Sequence, residues 1–157
     1  MARELLVVWV GRPQAGAWED LAGDYRSRIA RFLPVRDVPL RPAAGEGRAR
    51  LAAEAATVRA ALPSPVRLVA LDRRGKAASS RQLADELGVW LEEWPHPLAF
   101  LVGSDLGLDP ALVDESFRRL SLGPLTLPHL LARLVLYEQL YRALSLRAGM
   151  KYHRDPP

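Results

Sequence analysis

The sequence predicts an α/β fold, a largely parallel sheet with helices on both faces. Three observations carry this. Short apolar runs at Leu5–Val10, Val66–Leu71 (interrupted by Arg67) and Leu98–Val102 have the pattern of strands covered on both faces. Amphipathic helical stripes separate these runs, and alternation of strand with helix favours crossover connections and parallel pairing. No repeat, low-complexity tract or linker interrupts the 157 residues, so 1–157 reads as one domain, long enough to bury a proper core.

The first strand, Leu5–Val10, is ended by Gly11. Trp18, Leu21, Tyr25, Ile29 and Phe32 then form one helical stripe, with Asp20, Asp24, Arg26 and Arg31 off it, until Pro34 stops the helix. Val35–Leu40 is a weaker strand, and Pro39 points to a sheet edge. Pro42, Gly45 and Gly47 make Arg41–Gly47 a mobile loop. The alanine- and arginine-rich stretch Gly47–Leu62 is helical, with Leu51, Ala55, Val58 and Leu62 on one side. After Val66–Leu71, the residues Asp72-Arg73-Arg74-Gly75 read as a turn.

Ser79 and Gln82 make a capping box for a helix whose apolar side is Leu83, Leu87, Trp90 and Trp94. His96, between Pro95 and Pro97, is a loop residue with no assigned role. Following the strand Leu98–Val102, Asp109-Pro110 pairs a cap with a first-turn proline and opens a short helix to about Arg118. Leu120–Leu127 is a strand-like apolar run broken by Gly123-Pro124. Pro128 opens the last helix, along which Leu130, Leu134, Tyr137, Tyr141 and Leu144 recur at three- and four-residue spacing. Proline at 128 holds Leu127 out of helical geometry, in the cap position, where leucine cannot cap and Thr126 serves instead. Gly149 is the expected stop. Beyond it Tyr152-His153-Arg154 form a short polar tail, a place where chains commonly fray.

Composition narrows the function classes. A net charge of +4 suits a phosphate-rich partner without demanding one. With no cysteine, disulfides, thiolate nucleophiles and zinc–thiolate sites are excluded. Leu5–Val10 is too short for a signal segment or a membrane span, so the chain is expected in the cytoplasm. A Gly-x-Gly-x-x-Gly cradle follows none of the strands, which argues against a dinucleotide pyrophosphate. Ligands of open α/β sheets bind beyond the carboxyl ends of strands. Three such ends are candidates here: Leu71-Asp72, Gly103-Ser104 and the Leu122–Leu127 loop. Taken alone, the Gly103/Gly107 spacing fits an ordinary strand-to-helix turn as readily as a ligand loop.

Three stretches in order carry a resemblance: Leu68–Asp72 (L-V-A-L-D), Phe100–Leu108 (F-L-V-G-S-D-L-G-L), and L-T-L-P-H at 125–129 with its helix and the terminal Tyr152-His153-Arg154. Together they are similar to the RlmH family, SPOUT-class methyltransferases acting on N3 of a pseudouridine in large-subunit (23S) ribosomal RNA. Two departures stand out: Ser104, where the family usually has a second glycine, and Met150-Lys151, where a proline commonly precedes the Tyr-His pair.

The resemblance implies a deep C-terminal trefoil knot, a homodimer with a composite active site, and the assembled ribosome as substrate. It also implies S-adenosylmethionine, held by Leu71, Gly103, Ser104, Gly107 and the loop Leu122, Gly123, Pro124, Leu125, Thr126 and Leu127. Tyr152, His153 and Arg154 would reach the partner's site and hold RNA, joined by Arg133, which shares a helix face with His129. N3 of the base is an imide nitrogen that must lose its proton to attack. His129, Arg142, His153 and Arg154 are the candidates to take that proton or stabilise the anion. Glu138 and Arg142, four apart, also suit a plain solvated ion pair. No metal is called for. Two other readings stay open: a silent ribosome-binding protein of this fold, and an unrelated α/β nucleotide-binding enzyme.

Overall fold

Five strands make one parallel sheet in the order β2-β1-β4-β3-β5 in the computed structural model, which describes residues 3–155. The strand β1 (Leu5–Val10) is flanked by β2 (Val35–Leu40), at the edge as Pro39 indicated, and by β4 (Leu98–Val102), the central strand. The side chains of β1 alternate between two cores, as an unbroken apolar strand requires. Leu5, Val7 and Trp9 face α1 (Ala17–Ile29), α3 (Ser80–Glu93) and α5 (His129–Arg147). Leu6, Val8 and Val10 face α2 (Gly47–Ala61) and α4 (Pro110–Glu115). The two-faced α/β expectation therefore holds, and no helix among the described residues is long and apolar enough to cross a membrane.

Local signals placed the helix ends well. Ser79 and Gln82 make the reciprocal capping bonds, and Asp109 accepts a hydrogen bond from the Ala111 amide. Gly149 has φ +72°, with its own amide bonded to Leu146 and that of Met150 to Ser145, so the last two turns close their carbonyls onto a left-handed residue.

Several boundaries differ from expectation: α1 ends at Ile29, short of Phe32, and α4 ends at Glu115, with Arg118 already in the next strand. Asp72–Gly75 is not a turn that ends a strand. The strand β3 runs Arg67–Ala77, and these residues bulge out of it because Leu120 faces both Leu71 and Lys76. The apolar run after α4 contains a strand only at its start, since β5 is Arg118–Ser121 and Leu122–Leu127 is loop. The cap of α5 is Pro128 rather than Leu127, with no side-chain cap bond; the Thr126 hydroxyl instead accepts from Arg73 at 3.3 Å.

Candidate active site

A cleft of about 690 Å³ opens beyond the carboxyl ends of β3, β4 and β5. Leu71, Gly103, Ser104, Gly107, Leu122, Gly123, Leu125, Thr126 and Leu127 all line it, so nine of the ten expected cofactor residues converge there. Pro124 does not line it; it is exposed on the outside of the loop. His129 lines the same cleft, at the first residue of α5, whose N-terminus carries no side-chain cap bond.

The segment after β4 is a tight turn. The Gly107 amide donates to the Ser104 carbonyl at 2.9 Å, and Gly107 adopts φ +84°. A Cβ on Gly103 would lie 2.5 Å from the Gly107 carbonyl oxygen. Gly103 thus admits the backbone of its own turn, which corrects the expectation that its missing side chain makes room for a ligand.

The hydroxyl of Ser104 donates to Glu54 at 2.7 Å, and both residues are buried. Glu54 also accepts from the Ala43 amide (3.0 Å) and Arg50 (3.1 Å), while Arg50 reaches on to Asp105. The Arg50 guanidinium holds the Asp105 carboxyl below the usual carboxylate range. The extra hydroxyl at 104 thereby ties the turn to α2 on the other side of the strand end.

Arg133 is not available to RNA. It is 2 % exposed, pairs with Asp37 at 2.9 Å and Glu19 at 3.2 Å, and lies over the Trp9 ring. Asp37 also accepts from Trp9 (3.0 Å) and Tyr137 (2.6 Å). Burial, then the Asp37 charge, raises the Tyr137 phenol pKa. Sharing a face with His129 placed Arg133 one turn along the helix, where that face turns into the core.

The tail is not frayed within one chain, and it does not enter this chain's cleft. Tyr152 packs edge-on against Tyr141 at 4.7 Å, lies under Arg142, and donates to Glu138 at 3.2 Å. Burial and the neighbouring Tyr25 and Glu138 raise its pKa. His153 sits 3.2 Å from Arg142 and 3.0 Å from Asp155, whose own partner is Arg81. Arg142 and Glu138 are half-buried members of this group rather than a solvated pair. Arg154 is exposed. Of the four catalytic candidates, His129 alone lines the cleft; Arg142 is thirteen residues along the helix, roughly 20 Å away.

Sequence reasoning missed the polar rim. Asp72, Arg73, Arg74, Asp105, Asp114 and Arg119 also line the cleft. Asp72 was a candidate in the sequence as part of the strand end Leu71-Asp72, whereas Arg73 and Arg74, read as turn residues, had no place in the site. Among the described residues no cluster of potential metal ligands occurs.

Comparison with known proteins adds to this geometry. The profile of the family described as predicted SPOUT methyltransferase matches residues 4–153. The chain is 44 % identical over 151 residues to ribosomal RNA large subunit methyltransferase H of Dinoroseobacter shibae, covering 92 % of this chain and 95 % of that one. It is 41 % identical over 155 residues to the protein of the same name from Verminephrobacter eiseniae, covering 97 % and 99 %. Among solved structures, a probable methyltransferase from Bordetella pertussis Tohama I has a similar fold, with TM-score 0.56 at 17 % identity over 91 % of this chain and 96 % of that one.

Proposed function

The chain belongs to the SPOUT methyltransferase family, within its ribosomal RNA large subunit methyltransferase H branch, and from this we propose that it methylates N3 of a pseudouridine in 23S ribosomal RNA. The substrate is the assembled ribosome, the compartment the cytoplasm, and the active unit a homodimer whose C-terminal segment carries the family's trefoil knot. The observation that supports this best is the convergence of the Gly103–Gly107 turn, Leu71 and the Leu122–Leu127 loop on one cleft.

That cleft fits S-adenosylmethionine. Its apolar walls are Leu71, Leu122 and Leu127, backbone of the glycine turn and of a loop turning at Gly123, φ +121°, lies between them, and charged side chains form the rim. When bound, the cofactor supplies a methyl group on a positively charged sulfur, ready for in-line transfer. The residues of this chain position the acceptor and manage its proton. His129 stands in the cleft next to Gly11, whose Cβ would lie 3.3 Å from its Nε2, and is placed to accept the N3 proton. Tyr152, His153, Arg142 and Arg154 lie away from their own cleft, so their part in the reaction requires the partner's cleft, where the cations stabilise the imide anion and Tyr152 stacks on the everted base.

Incubation with labelled S-adenosylmethionine and ribosomes lacking the modification, followed by mass-spectrometric mapping, tests this reading. One methyl on N3 of one pseudouridine is expected. Label on protein, on free nucleoside alone, or nowhere would overturn it.

A further inference from the structure

We propose that the bulge in β3 is a docking arm for the phosphate backbone of the substrate RNA, with Arg73, Arg74 and Lys76 as its contacts. This rests on the methyltransferase reading above and adds a surface to it. The bulge is a fixed feature. The Asp72 carboxylate accepts from the Arg74 amide at 3.1 Å, and the Ser121 hydroxyl donates to the Arg73 carbonyl at 3.0 Å. Gly75 presses on β5 so closely that a Cβ would meet the Arg119 carbonyl oxygen at 2.8 Å. Arg118 donates to the Lys76 carbonyl at 3.3 Å. These attachments hold a backbone whose charged side chains face water.

Those side chains are largely uncommitted. Arg74 has its side chain 83 % exposed, and its nearest acid, Asp72, is 4.0 Å away. Among the described residues the Arg73 guanidinium has no ion pair and donates one hydrogen bond, to the neutral Thr126 hydroxyl, and Lys76 is exposed. Most other arginines around the sheet are paired: Arg50 with Glu54, Arg59 with Glu115, Arg118 with Glu86, Arg119 with Asp114. Arg73 and Arg74 stand on the rim of the cleft where the acceptor base must enter, and Lys76 is exposed two residues on; three exposed cations within four residues suit an oligoanion strung past the site rather than a single small anion. Arg73 also bonds the loop that encloses the cofactor, so a strand lying on the arm borders the reaction space directly.

The test uses full-length protein and purified large ribosomal subunits lacking the methyl group. Arg74→Glu and the Arg74→Ala/Lys76→Ala pair are compared with wild type and with Arg31→Ala, which removes an exposed charge just after α1. For the arm variants, KM for subunits should rise roughly tenfold or more. The slope of log affinity against log salt should shrink by about one for each phosphate that is no longer neutralised. S-adenosylmethionine affinity by calorimetry and kcat at saturating subunits should match wild type, as should every value for Arg31→Ala. Wild-type KM and salt slope in the arm variants would overturn the proposal, as would an equal effect of Arg31→Ala. A fall in cofactor affinity would overturn it too, by making these cations part of the cofactor pocket. Absence of methyl transfer by the wild type is a different result, which removes the function itself and the arm with it.

Discussion

Glu54 is a single acid in an alanine-rich helix whose local pattern shows only the four-residue spacing to Arg50, while the partner that matters for the cleft, Ser104, lies fifty residues away along the chain. It is nonetheless the side chain that fixes the glycine turn of the cleft. A buried carboxylate deprived of one of three donors is left short by about 1–3 kcal/mol. Ser104→Ala should therefore lower stability by that order and weaken S-adenosylmethionine binding severalfold, because the turn is freed from α2. Calorimetric titration beside thermal melting checks this; unchanged cofactor affinity with reduced stability would leave Glu54 a purely structural residue. Gly103 was conspicuous in the sequence for the opposite reason, since glycine at a strand end is a local signal. Yet the space it leaves is filled by Gly107, so Gly103→Val reports on the turn's geometry and not on ligand contact.

At the scale of elements, the last helix and its tail form one unit. The stop at Gly149 and the capping box of α3 were legible because each is written within a few residues. The bulge of β3 was not, because it exists only by pairing with β5, a four-residue strand whose first two members are arginines. Nor was the docking of Tyr152, whose partners Tyr25 and Tyr141 sit on two helices. Since Tyr152 is packed, truncation after Met150 is expected to lower Tm by roughly 3–6 °C, the effect of removing a half-buried aromatic from a chain of this size. Cofactor affinity should stay near wild type while methyl transfer collapses. Arg154→Ala isolates the second effect: the residue is exposed, so melting should not change, and activity should fall by on the order of tenfold or more as a charge-assisted bond to the RNA disappears. Full transfer by the truncated chain would remove the tail from the mechanism.

For the molecule as a whole, alternation of strand and helix determined the fold class, whereas strand order came only from long-range pairing that no window of sequence contains. The exposed end of the α1 stripe carries a further message. Trp18 is 43 % and Leu21 49 % exposed, although both continue the line that buries Ile29. Glu19 reaches Arg133 at 3.2 Å, so this apolar end lies beside the half-buried Leu130 and Leu134 of α5. Such a face on two neighbouring helices suits a self-complementary contact. Sedimentation at micromolar concentration should show a dimer, and Trp18→Arg with Leu21→Arg should give a monomer that binds S-adenosylmethionine but transfers no methyl. A monomeric wild type would refute both the dimer and the shared site.

The position of β1 has a consequence for how the chain comes into being. The strand β1, whose six residues are buried on both faces, precedes the other described strands, and one of its two neighbours, β4, begins at Leu98. Until that point of the polypeptide has emerged, the apolar strand has an open flank, and α5, which supplies Leu136, Tyr137 and Leu140 to its cover, comes later still. Burial of β1 therefore waits until α5 has been made, and its apolar side chains stay uncovered in the interval.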